Sequence, residues 1–472
     1  MKKDKTRALV WFRQDLRLKD NPAFIHACQH HDSVIPLYIN DDKHPLLGEA
    51  QGWWLHHSLC ALKESLEERG LTLLLRSGNS LDIFAELIDQ YAIDAVYWNR
   101  CYEPQAIERD KKIKAVLLEA GAQVYSSNGR LLHEPWTIKN KAGDVFCVFT
   151  PYWKACRQIL QIPPRLRLTT RPQGIKTKGD SLEDWALLPR INWAKGFAEL
   201  WEPGEKGAIK KLKFFIANHL SGYKTNRDFP AEQSSSYLSP HLHFGEISPW
   251  DILRSVDLEH LPEDCDRASV DHFLSELGWR EFSTYLLYHF PKLPSENFRP
   301  AFDKLIWKKD IKGLHRWQKG MTGYPLVDAG MRELWATGYM HNRVRMVVAS
   351  FLTKDLFIDW RVGADWFLDT LVDADLASNS SNWQWVAGCG ADAAPYFRIF
   401  NPVLQSQKFD PEGTYIRRWV PELAELSNQA IHAPWEHVEA RFIYSKSLYP
   451  KPIVDHSRAR KEALAGYKAL KD

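Results

Sequence analysis

Residues 373–402 read DADLASNSSNWQWVAGCGADAAPYFRIFNP. The stretch opens on two carboxylates, Asp373 and Asp375, and two amides, Asn379 and Asn382. Trp383 and Trp385 follow, then small residues and an aromatic turn that carries Arg398. A carboxylate can accept from a heteroaromatic N–H, and an amide beside a redox-active ring nitrogen can tune that ring's electronics. Indoles stack on bases. Asp373 and Asp375 do not read as a metal pair, since no His or further acid joins them at ligand spacing. These residue types point to a segment that walls a redox cofactor on one side and faces a nucleic-acid base on the other.

Other stretches carry chemistry with alternatives open. SSYLS (235–239) precedes a helix, and its hydroxyls and backbone N–H groups could face a pyrophosphate. Taken alone it reads equally well as a Ser-rich turn. Glu276 lies four residues before Arg280 on a helical pattern, the spacing of a surface ion pair. Trp307, Trp360 and Trp383 are too far apart in sequence for one helix to gather them, and taken alone they read as core.

The 472 residues suffice for two or three domains, and 44% hydrophobic with 26% charged residues is an ordinary globular composition. No apolar run reaches the ~20 residues that span a bilayer. The start, MKKDKTRALVWF, runs directly into strand-like sequence, which argues against a cleaved signal peptide. Seven cysteines, none in a CxxC pair, argue against a disulfide framework or a zinc site and for a reducing cytoplasm. A net charge of +3 neither demands nor excludes nucleic acid.

Residues 1–130 alternate short apolar runs with amphipathic ones: strands at 8–12, 33–39, 71–78, 95–98 and 122–126, and helices between them. Asp20 is placed to cap the first helix, with Pro22 in its opening turn, and Gly70 fits the left-handed position that ends the second. This order predicts a doubly wound, Rossmann-like α/β domain with a parallel sheet. No GxGxxG follows the first strand, which disfavours a dinucleotide site there. Residues 131–205 lose the periodicity; 162–179 hold five Lys or Arg, three Pro and no acid, and read as an interdomain linker with a solvated basic face. From 206 to 472 helical periodicity dominates and no strand pattern appears, so an all-α domain is expected, with a single amphipathic helix over 341–360. The tail 441–472 carries eight Lys or Arg against three acids.

Five motifs in this order resemble the photolyase/cryptochrome flavoproteins: LVWFRQDLRLKDN (9–21), GYKTNRDFPA (222–231), SELGWREF (275–282), TGYPLVDAGMRELWATGYMHNRVRM (322–346) and WQWVAGCGADAAPYFRIFNP (383–402). The likeness covers essentially the whole chain and is nearest to the bacterial cyclobutane pyrimidine dimer photolyases. It implies light-driven electron transfer from reduced, anionic FAD to a dimer flipped out of DNA. The net redox change is zero, so the enzyme is a carbon–carbon lyase. The alternative is a blue-light-sensing cryptochrome without repair. A cytoplasmic, nucleoid-associated monomer with no membrane partner is expected.

Residue by residue, the resemblance assigns Tyr223, Ser235, Ser236, Leu238, Ser239, Arg345, Asp373, Asp375 and Asn379 to FAD, with Arg345 pairing Asp373. It assigns Glu276, Trp279, Asn342, Arg343, Met346, Trp385 and Arg398 to the lesion and its DNA, with Glu276, Asn342 and Asn379 the catalytic set. If Glu276 donates to a base carbonyl it must be protonated, which predicts burial. Asn342 and Met346 stand where (6-4) photolyases have histidines, which favours the cyclobutane dimer. Trp307, Trp360 and Trp383 match the electron-carrying tryptophan chain. No metal is implied. Where the family has glycines before WQW this chain has Ser380, Ser381 and Asn382, and many members' Asn-Glu antenna pair is here Gln105 and Ala106. A folate antenna, 5,10-methenyltetrahydrofolate, is expected, with 8-hydroxy-5-deazaflavin or no antenna as the alternatives.

Overall fold

The computed structural model describes residues 5–41, 48–256, 261, 265–393 and 397–470. The first residues of the MKKD start, residues 394–396 of the last motif and residues 471–472 of the basic tail lie outside the described residues.

Five parallel strands form the N-terminal sheet: β1 (Arg7–Phe12), β2 (Ser33–Asn40), β3 (Leu74–Ser77), β4 (Ala95–Asn99) and β5 (Gln123–Ser127), in the order β3-β2-β1-β4-β5. Helices α1 (Pro22–His30), α2 (Glu49–Glu67), α3 (Ser80–Tyr91) and α4 (Pro104–Glu119) make the crossovers. Alternate residues of β1 feed the two faces: Ala8, Val10 and Phe12 enter one core, Leu9 and Trp11 the other. The expected doubly wound α/β layer is therefore present. Gly70, at φ +74°, closes α2 as read from sequence, with Gly70 N–H on Glu67 O at 2.8 Å and Leu71 N–H on Leu66 O at 3.0 Å.

Three local readings need correction. Asn21, not Asp20, caps α1, accepting from Phe24 N–H at 3.1 Å. Asp20 itself turns left-handed (φ 49°) and gives its carboxylate to Arg254 at 3.0 Å. The stretch 131–205 has regular structure of its own: α5 (Phe149–Ile159) and β6 (Gln173–Gly174), the latter pairing with β2. Its five basic residues at 165–178 are indeed exposed, but its backbone is tied down, Leu166 N–H to Asp20 at 3.0 Å and Asp180 N–H to Leu75 O at 2.8 Å. The pattern over 341–360 is not one helix. A π turn at Phe351–Asp355 ends the first helix, and Asp359 caps the next.

The rest of the described chain is helical: α6 (Glu205–Asn218), α7 (Arg267–His289), α8 (Pro325–Thr337), α9 (Asn342–Ser350), α10 (Trp360–Thr370), α11 (Leu376–Ala387), α12 (Thr414–Trp419), α13 (His456–Lys468) and shorter turns. Polar contacts weld this layer to the sheet layer: Arg17 Nη1 donates to Gly245 O at 2.9 Å, Trp54 Nε1 to Glu246 at 3.0 Å and Gln51 Nε2 to Ala374 O at 2.6 Å.

α7 also grips the segment after β5. Arg280 donates to Arg130 O at 2.9 Å, while Glu281 accepts from Leu132 N–H at 2.9 Å and His133 N–H at 3.3 Å. Gly278 lets the helix approach α5, because a Cβ there would sit 2.6 Å from the Trp153 ring. Burial pushes the Glu281 carboxyl up to about 7, against the pull of Arg280 and the two amides. An acid raised in this way holds an extra proton in the folded state, so its contribution is fully present below its ordinary value of 4.5 and is lost as pH rises from there through about 7. E281Q should therefore gain up to about 3 kcal/mol on wild type in unfolding free energy between about pH 5 and about pH 9. Denaturant titrations at both ends of that range measure it, and a pH-independent difference would rule it out.

Candidate functional site

The site is built where α11, α9 and the turn Ser235–Ser239 converge. Asp375 caps α11, accepting from Ser378 N–H at 2.9 Å. Its other oxygen faces His243 Nδ1 at 3.4 Å, and His243 Nε2 meets Gln51 at 2.8 Å. Burial would raise the Asp375 carboxyl, but the His243 imidazole, with Arg130 beyond, more than reverses this and holds it below the usual carboxylate range.

Asp373 is buried, and Arg345 Nη2 lies 2.9 Å and 3.1 Å from its two oxygens, the pair expected from sequence. Ser239 Oγ donates to the same carboxylate at 2.6 Å. Arg345 Nε is anchored on Met340 O at 2.6 Å. Ser236 Oγ accepts from Leu238 N–H at 3.4 Å, and Tyr237 turns left-handed between them (φ 53°). Tyr223 is buried against Phe215 and Phe273, with its ring beneath the Arg227 guanidinium. Asn379 donates to Ala364 O at 3.0 Å on α10, so one amide proton is already spent on the protein. Of the three residues before WQW, Ser380 Oγ donates to Leu376 O at 2.6 Å, Asn382 Nδ2 donates to Ser378 O at 2.7 Å, and Ser381 Oγ is buried with no hydrogen-bond partner among the described residues.

A second group lies alongside. Arg227 Nη1 forms a short ion pair with Glu276, and its Nη2 lies 3.5 Å from Asn342 Oδ1. Arg343 pairs with Asp228 at 2.7 Å over the Phe409 ring, with Met346 Sδ 4.0 Å from Nη1. The burial expected of Glu276 is not found. The side chain is a third exposed and has a guanidinium partner, and Arg280, its candidate i+4 partner, turns instead to Arg130 O and Leu242 O. Trp279 stacks on Phe149 of α5 at 3.7 Å and 11°. Trp385 carries Arg398 over its ring at 4.7 Å, and Arg398 also donates to Ala393 O at 3.3 Å.

Trp383 and Trp360 are fully buried, and Trp307 is half-buried against Phe357. All three belong to one apolar cluster, with Phe367 at 5.0 Å and Trp317 at 6.4 Å around Trp383. Their burial falls from Trp383 and Trp360 outward to Trp307.

Sequence reasoning missed Arg227, Asp228 and Phe149. The first two lie in GYKTNRDFPA, where adjacent opposite charges were the signal. Phe149 lies in FTPYWKACRQI, whose Phe149, Tyr152, Trp153 and Cys156 have helical spacing.

This geometry can be set beside known proteins. The family model for the FAD-binding domain of DNA photolyase matches residues 273–469, and that for DNA photolyase matches residues 8–172. A deoxyribodipyrimidine photo-lyase of Agrobacterium fabrum is 48% identical over 98% of each chain. The chain belongs to the DNA photolyase family. Among solved structures it is similar to a bacterial class III photolyase from Agrobacterium tumefaciens, with a TM-score of 0.95 and 47% identity over 100% of this chain and 99% of that one. It is also similar to an archaeal photolyase from Sulfolobus tokodaii holding two FAD molecules, with a TM-score of 0.83 and 31% identity over 98% of this chain and 100% of that one. Cryptochrome-2 of Arabidopsis thaliana is 38% identical over 98% of this chain and 78% of its own length.

The donor set suits FAD. Hydroxyls and a left-handed turn suit a pyrophosphate, and two carboxylates held by cationic and imidazole partners suit ring N–H groups. Arg345→Ala would leave Asp373 buried without its guanidinium, a change that typically costs about 3–5 kcal/mol. The variant should purify with a lower flavin-to-protein ratio and a lower Tm, both read by absorbance. Unchanged flavin content would contradict the assignment.

Proposed function

We infer that the chain is a deoxyribodipyrimidine photolyase, a lyase that uses light to split cyclobutane pyrimidine dimers in DNA. The observation that carries this reading is the convergence of Glu276 from α7 and Asn342 from α9 on one guanidinium, Arg227, next to the Arg345–Asp373 pair. A hydrogen-bonding surface for base edges thus adjoins the flavin residues. Blue-light sensing without repair is the less supported reading.

Tyr223, Ser235, Ser236, Leu238 and Ser239 would hold the phosphate side of FAD, and Asp373, Asp375 and Asn379 its isoalloxazine. When bound and reduced, FAD supplies one electron on absorbing blue light and takes it back after the ring has split. The protein has to bring the lesion within reach, which means extruding it from the duplex at a cost of a few kcal/mol. Trp279 and Trp385 would return roughly 1–3 kcal/mol per stacked base. Paired with Arg227, Glu276 is set to accept from a base imino N–H, and Arg227 is set to donate to the carbonyls that gain charge. Arg343 and Arg398 would meet phosphates. Trp307, Trp360 and Trp383 would pass electrons inward to restore the reduced flavin.

For the antenna we propose a reduced folate, 5,10-methenyltetrahydrofolate. Glu103, at the start of α4, pairs with Arg130 at 3.3 Å and keeps its buried Oε2 without a hydrogen-bond partner among the described residues, so this turn offers a carboxylate although Gln105 and Ala106 replace the usual pair. A planar chromophore at the crevice between β1 and β4 would instead displace the Arg13–Asp110 pair (2.6 Å) packed over Trp11. Among the described residues no helix is long and apolar enough to cross a membrane. We expect a monomer acting on DNA in the cytoplasm.

The deciding experiment mixes the chemically reduced protein with an oligonucleotide containing a thymine dimer, with and without blue light. Repair should require light, and its absence would sink the reading. Trp279→Ala should weaken dimer binding by about 1–3 kcal/mol, roughly 5- to 150-fold in Kd. Trp383→Phe should block photoreduction of the oxidised flavin yet leave repair by pre-reduced protein intact, which separates electron supply from lesion chemistry.

A further inference from the structure

Four residues that the repair reading places at lesion, phosphate and flavin ride on the first turns of α9: Asn342, Arg343, Arg345 and Met346. Their common placement depends on how that helix begins. His341 caps it, with Nδ1 accepting from Arg343 N–H at 3.2 Å. Burial holds this imidazole down at about 4, so it stays a neutral acceptor.

The His341 amide donates to Glu333 Oε2 at 3.3 Å, and the same oxygen accepts the Tyr415 hydroxyl at 2.5 Å. Glu333 stands on α8. Tyr415, fully buried, stands on α12, whose own start is fixed by Asp410 accepting from Tyr415 N–H at 2.9 Å and Ile416 N–H at 3.0 Å. One carboxyl thus ties α8 and α12 to the cap of α9.

We propose that Glu333 is a positioning residue for repair: by holding the His341 amide and the Tyr415 hydroxyl together, it fixes the height and rotation of α9 beneath the lesion. The proposal rests on the repair reading above. The groups facing Glu333 are Tyr415, the His341 amide, the guanidiniums of Arg345 and Arg418, and the rings of Tyr237 and Tyr339. Burial pushes its carboxyl up to about 7, opposed by Tyr415, the His341 amide and the two arginines. Above that pH it is a charge-assisted acceptor; below it, the protonated acid holds both donors less tightly and no longer attracts Arg345. The grip on α9 therefore loosens as pH falls through about 7. His341, held near 4, does not titrate in this range.

The test uses the full-length, FAD-loaded wild type with E333Q, E333A and Y415F. It reads Kd for a thymine-dimer oligonucleotide, repair yield of the reduced protein and flavin content, from about pH 6 to about pH 9. E333A should bind the dimer about tenfold more weakly at the alkaline end with flavin content retained. Wild-type affinity should fall several-fold on acidification, with the break near neutrality. E333Q keeps an acceptor oxygen but cannot titrate, so its profile should be flat. Y415F, which removes a donor to the carboxylate, should move the break to higher pH.

An E333Q profile that reproduces the wild-type break would overturn the proposal. Should E333A fail to fold, the near-isosteric E333Q and Y415F still decide it. A wild type without light-driven repair would instead sink the repair reading, and the proposal with it, so the two failures are read on different samples.

Discussion

The placement of one carboxylate, Asp375, organises the interior of this protein. It caps α11, the helix that carries Asn379, Trp383 and Trp385, and it is held by His243, by Gln51 through that imidazole, and by the field of Arg130. Two of those partners come from the sheet side of the molecule. A desolvated charge is tolerated only where partners converge on it. The surroundings of Asp375 in the helical layer are therefore electrostatically complete only when the sheet layer is docked. The welds at Gly245, Glu246 and Ala374 serve the same requirement, since they bring Gln51 and the segment after β5 to within reach of Asp375.

The group around Arg227 obeys a different rule. The carboxylates of Glu276 and Asp228 are 33% and 35% exposed, so their pairings with Arg227 and Arg343 are exchangeable. Partly exposed ion pairs contribute little net stability. They can be traded for contacts with a phosphate or a base edge at small cost. The less exposed carboxylates of Asp373 and Asp375 cannot be traded so easily, which would suit residues that hold a cofactor permanently. The molecule thus has a rigid half and an exchangeable half of one site, divided by how far each charge is from water.

Much of this was legible from sequence because periodicity and motif order are local. The alternating apolar runs before residue 130 gave the parallel sheet, Gly70 marked its helix end, and the Arg345–Asp373 pair followed from the resemblance. The failures have two causes. At Asp20 and Asn21, both good capping residues, the decision lay with Arg254, distant in sequence. Over 341–360 the helical pattern is real on both sides, but a π turn resets the phase, and composition does not encode the break. In α5 a short amphipathic helix was hidden by its basic, Pro-rich surroundings. The expected burial of Glu276 failed because its partner, Arg227, comes from another segment altogether. The errors at Asp20 and Glu276 concern contacts between segments, which a linear reading cannot weigh; those at 341–360 and α5 concern local breaks in periodicity.

The stack of Trp279 on Phe149 has one more consequence. An indole clamped on one face has few rotamers left to lose when a base lands on the other, so the ordering entropy is largely spent during folding rather than at encounter. Such preorganisation typically shows in how long a complex lasts more than in how fast it forms. If Trp279 meets a flipped base, the dwell time of damaged DNA would thus be partly written into α5, a helix on the strap between the two layers.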